Sequence, residues 1–221
     1  MRTPMYTIKL SIDLIDRCLS HSIRESTDVE RYMQTLRDEC DRETQLIDNL
    51  LDLSRLEAKT EPLLPVSLAL QPWLLHLSEA FIDRTNQQQQ ALQFDLPADL
   101  PLLTTDFSHL DRILTELLHN ACKYTPAGEA IVLMARNQAA NVQIIVKNSG
   151  VEIPTAEQER IFDKFYRIPS SDPWKHGGTG LGLALVKRRV QLIGGAIAVA
   201  SNSDWTSFTL TLPRSGVATL G

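Results

Sequence analysis

No glycine occurs in the first 127 positions of this 221-residue chain, and four of its ten glycines, Gly177, Gly178, Gly180 and Gly182, then fall within six residues. Average usage would spread about fifteen along a chain of this length. Glycine is costly inside helices and is needed where the backbone must take conformations that a Cβ forbids. The distribution therefore predicts a first part built from helices and one special loop late in the chain. With 43% hydrophobic and 22% charged residues, the chain has ordinary globular usage, which argues against disorder and collagen-like repeats.

Twenty-two basic against 27 acidic residues give a net charge of −5. That balance offers no electrostatic footprint for nucleic acid or for an anionic membrane, so neither is expected as a partner. Cys18, Cys40 and Cys122 are odd in number and widely spaced, which suggests neither a disulfide framework nor a zinc site and fits a reducing, cytoplasmic setting. Lys9 and Asp13 interrupt the early apolar residues, so no signal peptide is expected, although a parent protein could be membrane-anchored.

Met5, Ile8, Ile12, Ile15 and Leu19 alternate at steps of three and four, the seam of a coiled-coil-like helix over 5–21. After a polar stretch, Val29, Met33, Leu36, Cys40, Ile47 and Leu50 continue the spacing, with Leu46, Leu53 and Leu56 widening the stripe to about Ala58. Two such helices make a hairpin over residues 1–60, with arms of roughly 25 and 45 Å. One hairpin cannot bury stripes this wide. A second copy would complete a four-helix bundle; the alternative is packing onto the rest of the same chain.

Residues 61–66 read as a linker and 67–214 as a globular domain, followed by a tail at 215–221. Helices are expected at about 72–86, 106–124 and 181–193. Strands are expected at 67–70, 91–96, 131–137, 142–148, 196–201 and 206–212. This order predicts an α+β chain, a helical hairpin followed by an α/β sandwich with a largely antiparallel sheet. The run Gln87 to Gln90 reads as a solvated helix end.

Three elements carry candidate chemistry. Glu116, Asn120 and Lys123 share one helical stripe, and an acid, an amide and an amine there can hold a divalent cation and a polyphosphate, or can be a solvated polar face. Asn148, at a strand end before Ser149-Gly150-Val151-Glu152-Ile153-Pro154, can present a hydrogen-bonding group to a nucleobase, or can simply end the strand in a turn. The window Gly177-Gly178-Thr179-Gly180-Leu181-Gly182 opens a helix whose free amides suit phosphate, though such loops also occur for packing reasons.

In this order the elements resemble a known family. Glu116-Leu-Leu-His-Asn120-Ala-Cys-Lys123-Tyr124-Thr-Pro126 resembles the N box of sensor histidine kinases, and Asn148 to Pro154 their G1 box. Ile161-Phe162-Asp-Lys-Phe165-Tyr166-Arg167 resembles the F box, and Gly178-Thr-Gly180-Leu-Gly182-Leu-Ala-Leu-Val186 the G2 box. The segment Leu46 to Glu57 is similar to the second helix of the family's dimerisation domain.

The resemblance implies the Bergerat-type ATP fold, a histidine kinase ATPase domain using ATP and Mg²⁺, a homodimer through the hairpin, and a response-regulator receiver domain as partner. It implies Asn120 as magnesium ligand and catalytic residue, and Lys123 and Arg167 as phosphate contacts. Tyr124, Asn148, Gly150 and Ile153 would line the adenine pocket. Phe165 to Gly180 would be a mobile lid, with Gly178, Thr179, Gly180, Leu181 and Gly182 at the phosphates. Glu116 stands where related ATPases carry a general base. Among other histidines, His119 is expected to line or flank the site, and His176 with Trp174 belongs to the lid.

Two departures accompany the resemblance. The G1 box normally has an aspartate, and here the position is Asn148, which can still accept a hydrogen bond but without charge assistance. Glu152 replaces that box's second glycine. The phosphoacceptor motif reads His-Glu-Leu-Arg-Thr-Pro, and this chain starts Met1-Arg2-Thr3-Pro4. The expectation is thus a kinase catalytic core whose acceptor histidine lies upstream, without autophosphorylation of this chain alone. The alternative is a non-catalytic dimeric nucleotide-binding regulatory module.

Overall fold

In a computed structural model of the chain, the described residues are Leu10, Ile12, Asp13, 27–58, 62–169 and 179–214. They fall into two units, Met1–Glu57 and Ala58–Gly221. The expected first helix at 5–21 lies outside the described residues except for Leu10, Ile12 and Asp13, all helical.

Helix α1, Thr27–Ala58, carries the expected stripe through 32 residues. Ile12 is buried in a cluster with Met33 and Cys40, and the Asp13 carboxylate lies 3.7 Å from the Arg37 guanidinium, so Ile12 and Asp13 pack on α1. Part of the stripe stays open: Leu36 and Leu50 are exposed, as is Leu51 beside it.

In the second unit the order is β1 (Pro65–Ala69), α2 (Leu70–Gln87), β2 (Ala91–Asp95), β3 (Leu102–Asp106), α3 (Phe107–Tyr124), β4 (Ala130–Gln138), β5 (Asn141–Ser149), α4 (Thr155–Gln158), a 3-10 turn (Arg160–Phe162), α5 (Gly182–Leu192), β6 (Ala196–Ser201) and β7 (Trp205–Pro213). Strands β2-β4-β5-β7-β6 form one sheet, antiparallel except for the β2/β4 pair, while β1 and β3 form a separate antiparallel ribbon. Strand β3 has no counterpart in the sequence reading. It is a five-residue segment held by pairing with β1 across 37 positions, too short to show a period.

The helices cover one sheet face. Leu110, Ile113, Leu114, Leu117, Leu118 and Ala121 recur at helical spacing on α3 and meet Ile131, Leu133 and Ala135 of β4, Val142, Ile144 and Val146 of β5, and Phe208, Leu210 and Leu212 of β7. Burying each large side chain contributes about 1.5–3 kcal/mol, so this layer fixes α3 against the sheet. Pro72 is accommodated in the first turn of α2, where a missing N–H costs nothing.

Both ends of α3 are tied down. Asp106 is its N-cap: Oδ1 accepts from the His109 amide at 3.1 Å and the Ser108 hydroxyl at 2.8 Å, and Oδ2 accepts from the Leu64 amide at 2.8 Å. Burial pushes this carboxyl up, but the three donors outweigh it and hold it below its usual value. At the other end the Gln90 amide donates to the carbonyls of Cys122, at 2.8 Å, and Thr125. The expectation of a solvated glutamine run is therefore corrected at one position. Gln88 and Gln89 are exposed, whereas Gln90 is buried because its side chain satisfies carbonyls that a helix end leaves open. Among the described residues no helix is long and apolar enough to cross a membrane.

Candidate functional site

Chain direction alone brings the candidate motifs to one end of the sandwich. Helix α3 ends at Tyr124 and leads within six residues to Ala130 at the start of β4, whose Ile131 pairs with Asn148 near the end of β5. Asn148 pairs in turn with Thr206 at the start of β7, and Thr206 with Ser201 at the end of β6. Helix α5 reaches β6 from its own C-terminal end, so its N-terminus lies toward Ser201. The C-terminal half of α3, the loop after β5 and the start of α5 therefore share one rim.

On α3, Glu116, Asn120 and Lys123 are half-buried and Tyr124 is exposed. The Lys123 ammonium sits 5.0 Å from the Tyr124 ring centroid. The Asn120 amide takes no hydrogen bond from any described residue. Burial pushes the Glu116 carboxyl above its usual value of 4.5, and the Lys123 charge offsets only part of that. His119 does not line this stripe. Its ring lies 2.7 Å from Arg84 Nη1 and edge-on to Phe81, both on α2.

The raised Glu116 carboxyl has a consequence for stability. Folding favours its protonated form, so the native state is penalised once pH rises past 4.5 and fully so above the raised value. Glu116→Gln is expected to raise the melting temperature of the nucleotide-free chain at pH 7, with the gain disappearing below pH 4.5. Thermal denaturation of both proteins across pH checks this; a gain that persists at pH 3.5 would contradict the assignment.

The loop after β5 is fixed by hydroxyls that the sequence reading did not single out. Ser201 Oγ accepts from the Ile153 amide at 2.8 Å, Thr206 Oγ1 donates to the Val151 carbonyl at 2.7 Å, and the two hydroxyls meet at 2.5 Å. Glu152, in place of a glycine, does not prevent this turn. Gly150 has φ +76°, and a Cβ there would lie 2.7 Å from Glu129 Cγ and 3.0 Å from Pro126 Cδ, so the loop rests directly on the segment that follows α3. Ser149 Oγ adds a hydrogen bond to Glu129 and accepts one from the Ala130 amide.

The glycine window meets two other motifs. Phe165, at φ +63°, donates its amide to the Gly180 carbonyl at 2.9 Å, which ties the two ends of the segment between them. Gly182 lies against Glu116, since a Cβ would fall 1.9 Å from its Oε1. Leu181 is fully buried, and as N-cap of α5 it supplies no side-chain cap, so the first amides of that helix remain available as donors. Arg167 is half-buried, and Thr179 Oγ1 accepts from the Leu181 amide at 3.3 Å. Gly177, Gly178, Trp174 and His176 lie outside the described residues.

Three contacts thus join the four motifs: Pro126 with Gly150, Phe165 with Gly180, and Gly182 with Glu116. Among the described residues the rim carries a helix N-terminus without a side-chain cap and two side-chain amides without a hydrogen-bond partner, at Asn120 and at Asn148, which is 5% exposed. Among the described residues no group of three or more His, Cys, Asp or Glu side chains could hold a metal by itself. A cation at this rim fits as Mg²⁺ shared with a polyphosphate, since that ion keeps waters and takes one or two protein ligands.

Residues 105–216 match the family described as histidine kinase-, DNA gyrase B-, and HSP90-like ATPase, and residues 1–59 match the His Kinase A (phospho-acceptor) domain. Among curated proteins, the alginate biosynthesis sensor protein KinB of Pseudomonas aeruginosa is 34% identical over 96% of this chain and 35% of its own length. The sensor histidine kinase WalK of Bacillus subtilis is 29% identical over 96% of the chain and 35% of its own length. The chain thus spans about a third of these relatives. Among solved structures, full-length ShkA in complex with AMPPNP aligns with a TM-score of 0.81 at 24% identity, covering 99% of this chain and 44% of that one. Histidine kinase ThkA in complex with response regulator protein TrrA aligns at 0.70 and 18% identity, covering 96% of this chain and 59% of that one.

Proposed function

This chain belongs to the histidine kinase-, DNA gyrase B-, and HSP90-like ATPases, and among them to the sensor histidine kinases; from that premise we propose that its second unit binds ATP with Mg²⁺ at the rim described above and directs the γ-phosphoryl group to a histidine, for onward passage to an aspartate of a response-regulator receiver domain. The observation that carries the reading is the joining of the four motifs around polar groups with no partner among the described residues: the first amides of α5, the Asn120 side chain on α3, and the Asn148 side chain at the end of β5.

In this reading Asn120 would hold Mg²⁺, and the ion would supply charge neutralisation at the phosphates. The amides of Gly180 and Gly182, with the positive end of the α5 dipole, bind phosphate oxygens, beside the Leu181 amide that Thr179 Oγ1 accepts from. Lys123 and Arg167 add charge, as does Gly178 its backbone amide. Tyr124 and Ile153 flank the base, Gly150 lets the loop approach it, and Phe165 and Thr179 face the nucleotide. Glu116, held against Gly182, is placed to orient the first turn of α5. Phosphoryl transfer needs positioning and charge neutralisation more than covalent chemistry, and these groups supply both.

The exposed Leu36, Leu50 and Leu51 on α1 favour a homodimer that closes a four-helix bundle over them. The domain limits 1–60, 61–66, 67–214 and 215–221 and a cytoplasmic location belong to the same proposal. The transfer step is tested with a variant extended at its start so that His-Glu-Leu runs into Arg2-Thr3-Pro4. Incubated with γ-labelled ATP and Mg²⁺, it is expected to gain an acid-labile label, and Asn120→Ala is expected to abolish it. ATP binding without any such label would overturn the kinase assignment.

A further inference from the structure

Helices α3 and α5 are joined at two levels. At one, Gly182 lies against the Glu116 carboxylate, with no room for a Cβ between them. At the other, Arg189 Nη1 lies 3.0 Å from His109 Nδ1, and both residues are buried, at 7% and 4% exposure. Gly182 and Arg189 are seven positions apart on α5, and Glu116 and His109 are seven apart on α3 in the reverse direction. Each interval spans about 10 Å of helix axis. The two contacts are therefore matching rungs of one antiparallel helix pair, and together they fix how far α5 can slide along α3.

The second rung has a direction. A guanidinium only donates, so His109 Nδ1 accepts and the ring carries its proton on Nε2. Its α3 side is anchored: Asp106 Oδ1 accepts from the His109 amide at 3.1 Å, and Oδ2 from the Leu64 amide at 2.8 Å. On the α5 side the Ile193 amide donates to the Arg189 carbonyl at 3.1 Å, and the neighbouring Val190 is fully buried. Apolar contact between two helices is non-directional, whereas a buried hydrogen bond from a charged group holds only in one register. The rung lies in the last turn of α5, away from the glycines, so any effect on a nucleotide is by placement rather than by touch. Resting on the function proposed above, we propose that His109 and Arg189 are positioning residues of the nucleotide site. Their hydrogen bond sets the register of α5 on α3, and so holds the Gly180 and Gly182 amides at the phosphates beside Asn120.

The test measures Mg-ATP affinity by isothermal titration, with the melting temperature beside it, for four proteins: the natural chain, His109→Asn, Arg189→Met, and His109→Leu combined with Arg189→Met. Asparagine keeps an acceptor where Nδ1 stands and is expected to hold ATP affinity within about threefold. Arg189→Met removes the donor and its charge together, and the apolar pair removes both partners, so both proteins should fold. Both are expected to lose about tenfold or more in ATP affinity, the pair no more than Arg189→Met alone, with melting temperatures close to that of the natural chain. A folded apolar pair that binds ATP like the natural chain would overturn the proposal. So would a loss in His109→Asn equal to that in Arg189→Met, or losses of affinity that follow losses of melting temperature across the variants. A natural chain that binds no ATP would instead remove the nucleotide site itself, and with it both readings.

Discussion

Gly180→Ala is expected to weaken ATP binding by roughly thirtyfold or more in a chain that still folds. Two penalties coincide at this position. Gly180 has φ +71°, a conformation that costs a residue with a Cβ about 1–2 kcal/mol. The added carbon would also lie 2.7 Å from the Phe165 carbonyl carbon and 2.9 Å from its Cα. These are backbone atoms that cannot rotate away, and forced overpacking adds about 1–3 kcal/mol. Relief requires parting the Phe165 amide from the Gly180 carbonyl, the hydrogen bond that ties the F-box segment to the start of α5. The proposed phosphate-binding amides would then lose their placement. Gly128→Ala serves as control: it too has positive φ, at +87°, but nothing lies within 4 Å of its Cβ position, so strain should appear there without loss of binding. Isothermal titration of both variants with Mg-ATP checks the contrast. Equal affinity in Gly180→Ala and the natural chain would remove the Phe165–Gly180 contact from the site.

The second large effect is expected from Leu114→Ala. Leu114 is fully buried at the middle of α3, in the layer that joins this helix to the sheet. Truncation removes transfer free energy and leaves a cavity, together about 2–5 kcal/mol. At about 2–4 °C per kcal/mol for a domain of this size, the melting temperature should fall by roughly 5–20 °C. Leu75→Ala on α2, at 40% exposure, should change stability by no more than about 0.5 kcal/mol. Calorimetry of the two variants decides whether the α3 layer carries the stability assigned to it. Similar small shifts in both would contradict that.

The reason α3 was legible in the sequence is that its apolar residues keep a helical period over 18 residues, with the polar stripe of Glu116, Asn120 and Lys123 opposite. The long strands β5 and β7 were legible from alternation and keep it as burial in the fold, whereas β4 buries Ile131, Val132 and Leu133 in succession. Strand β3 was not, since its pairing with β1 is tertiary and five residues carry no period. Gln90 shows the same limit: a run of four glutamines looks like solvated surface until α3 ends beside it with open carbonyls. His119 sits within the N-box motif but turns to Arg84 and Phe81, because adjacent helical positions face different sides.

The glycine window was visible as a feature, while its reasons were not. Gly180 answers to the Phe165 backbone and Gly182 to the Glu116 carboxylate, partners fifteen and sixty-six positions away. Ser201 and Thr206 were silent in the sequence because a hydroxyl on an alternating strand reads as ordinary surface; only the register reveals that they hold the Ile153 and Val151 backbone. Local pattern thus identified which residue types gather, and long-range pairing decided what each one touches.

The central claim is that the motifs at this rim form an ATP site dependent on Mg²⁺, and isothermal titration of the purified chain with ATP tests it most directly. The expected result is one ATP bound per chain in millimolar Mg²⁺, with binding lost in Asn120→Ala and strongly weakened by a chelator. A folded chain that gives no binding signal with millimolar ATP and Mg²⁺, or one that binds ATP equally well after Asn120→Ala, would contradict it.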